Sequence, residues 1–481
     1  MSNLSELIPD GGAGKNVSFV ASGTLPNGKA VVLNSDGTVS VVSGSGGTIS
    51  SVVSIDSANQ GENFACYDTA NNKIVVINKS TSGYGRAVVG TVSGGTISFG
   101  TPVVFASTNF NYFAIEFDQT SGKVLVVYAD YSNTETGMVI VGTVSGTSIS
   151  FGSVVNMGLT YFLQPQLVYD PDNGRCVMFY SRAGSGVTNH TGGAVITISG
   201  TTPTLQTPVL IGYYTTSLDA TYDTQNNKIL IAYINPSNLP TCQVVTVSST
   251  TISFGTAASI ATGVTTTRTG IAYHAASQKH VVAYSYSDLT RINVATISGT
   301  NVTFGTEVTT SVRMSSPNTN VIYSAAGGHW IILARDQNNS YIATVFYGKV
   351  SGNIVVISDG PTVISPSTSY ISGAIVYDPD TTLTFLGYSA GWGASSAKML
   401  APLITNLTST NFIGISDEAI SSGATGKATI KGGIKTGLSS LTPNAIYYVQ
   451  GDGTITTASA SPAVRIGKAL SSTSINLEYN S

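Results

Sequence analysis

The chain has 481 residues, of which 9% are charged and 42% hydrophobic, with 52 glycines and a formal net charge of -3. This is the composition of dense β-structure with many turns, and it excludes a disordered chain. The charge balance offers no basic field for nucleic acid or anionic lipid, and Ser, Thr and Gly break every apolar run before it reaches membrane-spanning length.

Residues 1–16 read as a flexible tether, and because MSNLSELIPDGG lacks the basic start and apolar middle of a signal peptide the chain is expected to be made and assembled in a host cytoplasm. Residues 17–43 follow as a hairpin, two strands around Asp36-Gly37 with a Pro26-Asn27-Gly28 turn ahead of them.

Residues 44–406 carry an internal repeat. An aromatic-plus-polar pair returns at Tyr67-Asp68, Phe117-Asp118, Tyr169-Asp170, Tyr222-Asp223, Tyr273-His274, Tyr323-Ser324 and Tyr377-Asp378, so by subtraction the steps are 50, 52, 53, 51, 50 and 54 residues. Each unit also ends on a version of one hairpin, as in TVSGGTISFG up to Gly100 and TVSSTTISFG up to Gly255. Apolar runs such as KIVVI (Lys73 to Ile77) and VLVVY (Val124 to Tyr128) show the short period of strands, with turn residues between them. Four strands in about fifty residues match the blade of a propeller. The expected fold is all-β, a seven-bladed β-propeller. Because Gly47 to Ile55 (GTISSVVSI) resembles an outer strand but precedes the first unit, it is expected to complete the blade begun at Tyr377.

Residues 407–481 change spacing and form a C-terminal β-module. Its stretch LTPNAIYYVQGDGTITT echoes LPNGKAVVLNSDGTVSV near the start, so the two ends are expected to pack as one small domain.

These ends carry a resemblance. SFVASGTLPNGKAVVLNSDGTVSVV at the front, with NFIGISDEAISSGATG, LTPNAIYYVQGDGTI and IGKALSSTSI at the back, resembles the flanking modules of virion structural proteins of tailed, cyanophage-like bacteriophages, of the tail-fibre and capsid-decoration type. The resemblance implies a virion component whose end modules act as scaffold. It brings no catalytic motif.

The repeated Asp invites a metal reading, but each one opens a tight turn in which its carboxylate can accept backbone N–H groups, with Lys73, Lys123, Arg175 or Lys228 five residues on as an expected partner. The four histidines are scattered, sialidase-type Asp boxes are missing, and no catalytic residue, metal or cofactor is expected. Cys66, Cys176 and Cys242 have spacings that suit neither zinc nor a disulfide framework and read as core thiols.

Connections on one face of the blades are short and uniform, whereas those on the other are long and aromatic. From the second set come the binding candidates Tyr84, Arg86, Tyr112, Tyr131, Tyr161, Arg182, Tyr214 and Trp392, since exposed rings beside amides and hydroxyls suit saccharide or protein recognition. The expected function is noncatalytic recognition of a host envelope glycan or protein by a virion surface protein, with a homotrimer as the expected assembly although no coiled-coil heptads signal one. The alternatives are a capsid or tail decoration and spacer protein, or a glycan-cleaving propeller enzyme.

Overall fold

The computed structural model describes residues 15–22, 24–34, 37–42, 53–56, 59–93, 96–260, 266–286, 289–312, 320–325, 329–368, 375–381, 383–389, 397–400, 412–450, 453–457 and 463–478. The chain divides into two compact units, one of residues 1–48 with 403–481, the other of residues 49–402. The boundaries differ by a few residues from those read in the sequence.

The larger unit contains seven antiparallel sheets among its described residues. Each begins with an inner strand: Asn59–Asp68, Phe110–Asp118, Phe162–Asp170, Thr216–Asp223, Thr266–His274, Asn320–Ser324 and Ile375–Asp378. Every inner strand contacts the next, and Ile375–Asp378 contacts Asn59–Asp68. The chain then meanders outward through a second, third and outer strand.

The second strands are not half-exposed. Val124, Leu125, Val126, Val127 and Tyr128 are all at or below 2% exposure, because a sheet covered on both sides buries both faces of its strand. The continuous apolar runs follow from this position, and apolar alternation is the weaker description of them. The core accordingly lies between sheets: Phe113, Val126 and Ile140 of the second sheet pack with Val75, Ile77 and Val89 of the first, and similar clusters follow along the array. Each fully buried aliphatic side chain contributes about 1.5–3 kcal/mol.

The outer strand differs from the sequence reading in five sheets, where it is broken in two. In the first sheet, Thr96–Phe99 pairs with one half of Gly85–Ser93 and Val103–Ala106 pairs with the other half. The glycine that ends TISFG lies at this break and is required there. A Cβ on Gly100, Gly255 or Gly305 would stand 2.0, 2.2 or 1.8 Å from a backbone oxygen of the next sheet, at Thr147, Thr300 or Asn353. The recurring glycine is a contact point between sheets.

The recurring Tyr-Asp pair also has two structural duties. Asp68 Oδ1 accepts from the N–H groups of Ala70 and Asn71, at 2.9 and 3.0 Å, and Asp170 and Asp223 hold their turns in the same way. The basic residue five positions on is not the common partner expected. Lys123 Nζ instead donates to Thr143 Oγ1 at 2.9 Å. The tyrosine reaches back to the turn of the preceding sheet: Tyr169 Oη lies 2.9 Å from Thr120 Oγ1, the Tyr222 hydroxyl faces Asp170 and Asp172, and the Tyr67 hydroxyl faces Asp378 and Asp380. Burial, and then those carboxylates, push the Tyr67 and Tyr222 hydroxyls above their usual range.

The seventh sheet is completed from the front of the unit. Val53–Asp56 pairs antiparallel with Ala397–Leu400, as Met399 with Val53 and Ala397 with Asp56. Val53, Ser54 and Ile55 of GTISSVVSI lie in this strand; Gly47 to Val52 lies outside the described residues. Ile55 is buried with Ile74, Val88 and Phe385, a cluster drawn from the first and seventh sheets.

In the smaller unit, both ends of the sequence contribute to one sheet. Its order runs Asn16–Val20, Thr425–Ile430, Phe412–Ser416, Ala30–Leu33, Val39–Val41, so the front segment supplies three strands where a two-strand hairpin was expected. A second sheet is built from the back segment alone and includes the echoing pair Ile446–Gln450 and Ile455–Thr456. Ala30, Val32 and Phe412 of the first sheet pack with Tyr447, Val449 and Ile466 of the second. The three cysteines of the chain, all in the larger unit, are buried and free, as read from their spacing.

Candidate functional site

Because the strands meander, the turns between second and third strands emerge at the same end as the segments that lead into the inner strands. There the backbone is zipped from sheet to sheet. Phe110 N–H donates to Gly83 O and Tyr131 N–H to Asn109 O, both at 2.8 Å, while Tyr161 N–H donates to Thr134 O at 3.0 Å. These bonds link the turns of the first three sheets into one rim.

Three of the candidates stand out from it. Tyr84, Tyr112 and Tyr131 are 41, 37 and 47% exposed. Tyr84 donates its N–H to Ser80 Oγ at 3.0 Å and accepts Ser80 N–H at 2.8 Å. Tyr112 sits at the bulge between Asn111 and Phe113 with φ at 38°, a left-handed conformation that costs strain and directs the side chain away from the ladder. Rings fixed on such a backbone lose little freedom on binding.

The other candidates are placed differently. Arg86 lies 3.1 Å from Asp56, whose side chain is 3% exposed, and so ties the first sheet to the outer strand of the seventh. Arg182 donates from Nε to Thr160 O and from Nη2 to Thr160 Oγ1, each at 2.9 Å. Both cations therefore act as clamps for the rim. The half-buried ring of Tyr161 covers Gly184, where a Cβ would stand 2.1 Å from it. Tyr214 is half-buried and burial raises its hydroxyl pKa. Trp392 lies outside the described residues.

A second feature lies along the inner strands. A cavity of about 570 Å³ is lined by residues from all seven. Its wall carries Glu116 and Asp219, which the sequence reading passed over. Glu116 Oε1 accepts Phe117 N–H at 2.8 Å; Asp219 accepts Ala220 N–H and, from the next sheet, Ile271 N–H, both at 2.8 Å. Burial pushes each carboxyl up to about 7, with the backbone donors pulling the other way. The signal available was a charged residue where other units carry Cys66, Val168 or Ile322, for Glu116, and Phe64, Ala114 or Gly270, for Asp219. Among the described residues, no group of three or more His, Cys, Asp or Glu could hold a metal ion, and no helix is long and apolar enough to cross a membrane.

The sheets and their order define the class: an all-β protein with a β-propeller fold. No protein-family model and no curated protein matches the chain. Among solved structures, it is similar to the fucose-recognising lectin of Aleuria aurantia, a six-bladed β-propeller, at 11% identity over 65% of this chain and 100% of the lectin, TM-score 0.39. It is similar also to the Dos1 propeller, at 12% identity over 73% of this chain and 96% of that one, TM-score 0.43. A third is SapL1 lectin in complex with α-methyl fucoside, at 14% identity over 64 and 98%, TM-score 0.39.

Proposed function

We propose that the chain is a noncatalytic recognition protein of a virion surface, binding host envelope glycans through the rim that bears Tyr84, Tyr112 and Tyr131, on a seven-bladed propeller closed by Val53–Asp56. The observation that carries the recognition role is the rim itself: three exposed tyrosines, Tyr84 and Tyr131 on turns held by backbone hydrogen bonds to neighbouring segments and Tyr112 at a strand bulge between them. A ring offers an apolar face to the C–H side of a sugar while the neighbouring amides and hydroxyls fix its orientation. The virion setting is supported by the resemblance of the two sequence ends to phage structural proteins.

Glycan-array binding and host-cell adsorption, with the intact chain and a Tyr84→Ala, Tyr131→Ala double variant, test the recognition role. The expected result is saturable binding that weakens at least tenfold in the variant at unchanged melting temperature. Absence of binding by the intact chain, or equal binding by the variant, overturns it. Antibody labelling of purified particles tests the setting, and particles that bear no label refute it.

A further inference from the structure

The central cavity has features that the rim does not explain. Gln166, Asp219 and Asn320 each stand three residues before the repeat aromatic, at Tyr169, Tyr222 and Tyr323, and all three line the cavity. At the same position other units carry Phe64, Ala114 and Gly270. Structural devices of the repeat recur in most units, as the turn aspartates do, whereas this polar set is confined to three. Equal spacing from the aromatic puts the three at one level of the inner strands, with Glu116 two residues further along its own.

Asn320 is the decisive member. It is 8% exposed, lines the cavity, and its Nδ2 has no hydrogen-bond partner among the described residues. A buried amide donor without an acceptor is costly in a native structure and calls for an explanation. The opposite chemistry lies on other inner strands, in the carboxyls of Glu116 and Asp219, the latter oriented by Ala220 and Ile271 N–H groups.

We propose that the cavity is a second ligand site, separate from the rim, taking a neutral polyhydroxylated molecule of monosaccharide size. A cation meets the Asn320 amide hydrogens and an anion meets two carboxyls, but a hydroxyl accepts from the first and donates to the second. Burial pushes both carboxyls up to about 7, so the two do not carry a full double negative charge at neutral pH. The volume of about 570 Å³ falls within the usual range of small-molecule sites.

The test uses the full chain and three probes, the methyl glycosides of glucose, galactose and mannose, read by saturation-transfer NMR at millimolar concentration. Asn320→Leu and Glu116→Gln alter the cavity, and the double variant Tyr84→Ala, Tyr131→Ala alters the rim. At least one glycoside is expected to bind, with a dissociation constant that rises tenfold or more in each folded cavity variant and is unchanged in the rim variant. If Asn320→Leu does not fold, Glu116→Gln decides. Three results overturn the proposal: no glycoside binds, binding survives the cavity variants, or calorimetry shows calcium chloride saturating a site that Glu116→Gln removes. Loss of glycan-array binding in the rim variant alone bears on the rim and leaves the cavity result standing, so the two failures are distinguishable.

Discussion

His280 and Glu116 make stability depend on pH in opposite senses. His280 is fully buried, its ring nitrogens have no hydrogen-bond partner among the described residues, and Asp223 Oδ2 lies 3.8 Å from Nε2. Burial pulls its pKa from 6.5 down to about 4, against the opposing pull of Asp223. Its contribution is therefore present above pH 6.5, where both states are neutral, and is lost as pH falls through 4. His280→Leu is expected to reduce the drop in urea-unfolding free energy between pH 7 and pH 4.5 by about 2 kcal/mol. Glu116, raised from 4.5 to about 7, behaves conversely: its contribution is full below pH 4.5 and is lost as pH rises through 7. Glu116→Gln should flatten the decline between pH 5 and pH 8 by about 1 kcal/mol, after allowing for water in the cavity; an undiminished slope in the same urea series would count against this titration. At this scale, the turn duty of Asp68 or Asp223 is legible in the sequence because donor and acceptor lie within three residues. The reach of Tyr222 to Asp170 joins separate repeat units, and nothing local in the text announces it.

At the scale of the element, the join between first and seventh sheets carries the sharpest expectations. Arg86 and Asp56 face each other across it at 3.1 Å, with the Asp56 side chain nearly sealed from water. Arg86→Ala leaves that carboxylate buried without its cation and should cost about 3 kcal/mol, while Asp56→Asn with Arg86→Ala should cost less than the two single changes added together. Thermal and urea unfolding of the double-mutant cycle measures the coupling, and simple additivity would remove the pair from the account of the join. Deleting residues 1–56 strips the outer strand from Ala397–Leu400 and leaves a bare edge. Hydrogen exchange in Tyr377 to Leu403 is expected to accelerate, whereas deleting residues 1–12 leaves it unchanged. The existence of this strand was legible because an outer-strand pattern stood ahead of the first unit. Its register was not, since its partners Met399 and Ala397 stand on a strand far along the chain. The break in the outer strands was likewise hidden: Val103–Ala106 reads as a loop until the position of Gly85–Ser93 is known.

For the whole molecule, the repeat period conveyed the architecture because one fifty-residue unit makes one sheet, and the markers recur where the sheets touch. The cavity was illegible for the complementary reason. Gln166, Asp219 and Asn320 become neighbours of one space only when successive inner strands are brought side by side, and each by itself is an ordinary polar residue. The late pairing of Val53–Asp56 has a further consequence in time. During synthesis Asp56 waits for Ala397, 341 residues later by subtraction, which at ribosomal rates is an interval of roughly 20–70 s. Throughout it, the exposed flank of the first sheet has no neighbour, and the strands near the front of the smaller unit wait longer still for Phe412–Ser416. Nascent chains stalled before Ala397 should therefore sediment as aggregates or be recovered with chaperones, while release of the complete chain yields the soluble form. Rapid unassisted folding on the ribosome is closed to a protein whose first-made strands take partners made after residue 396.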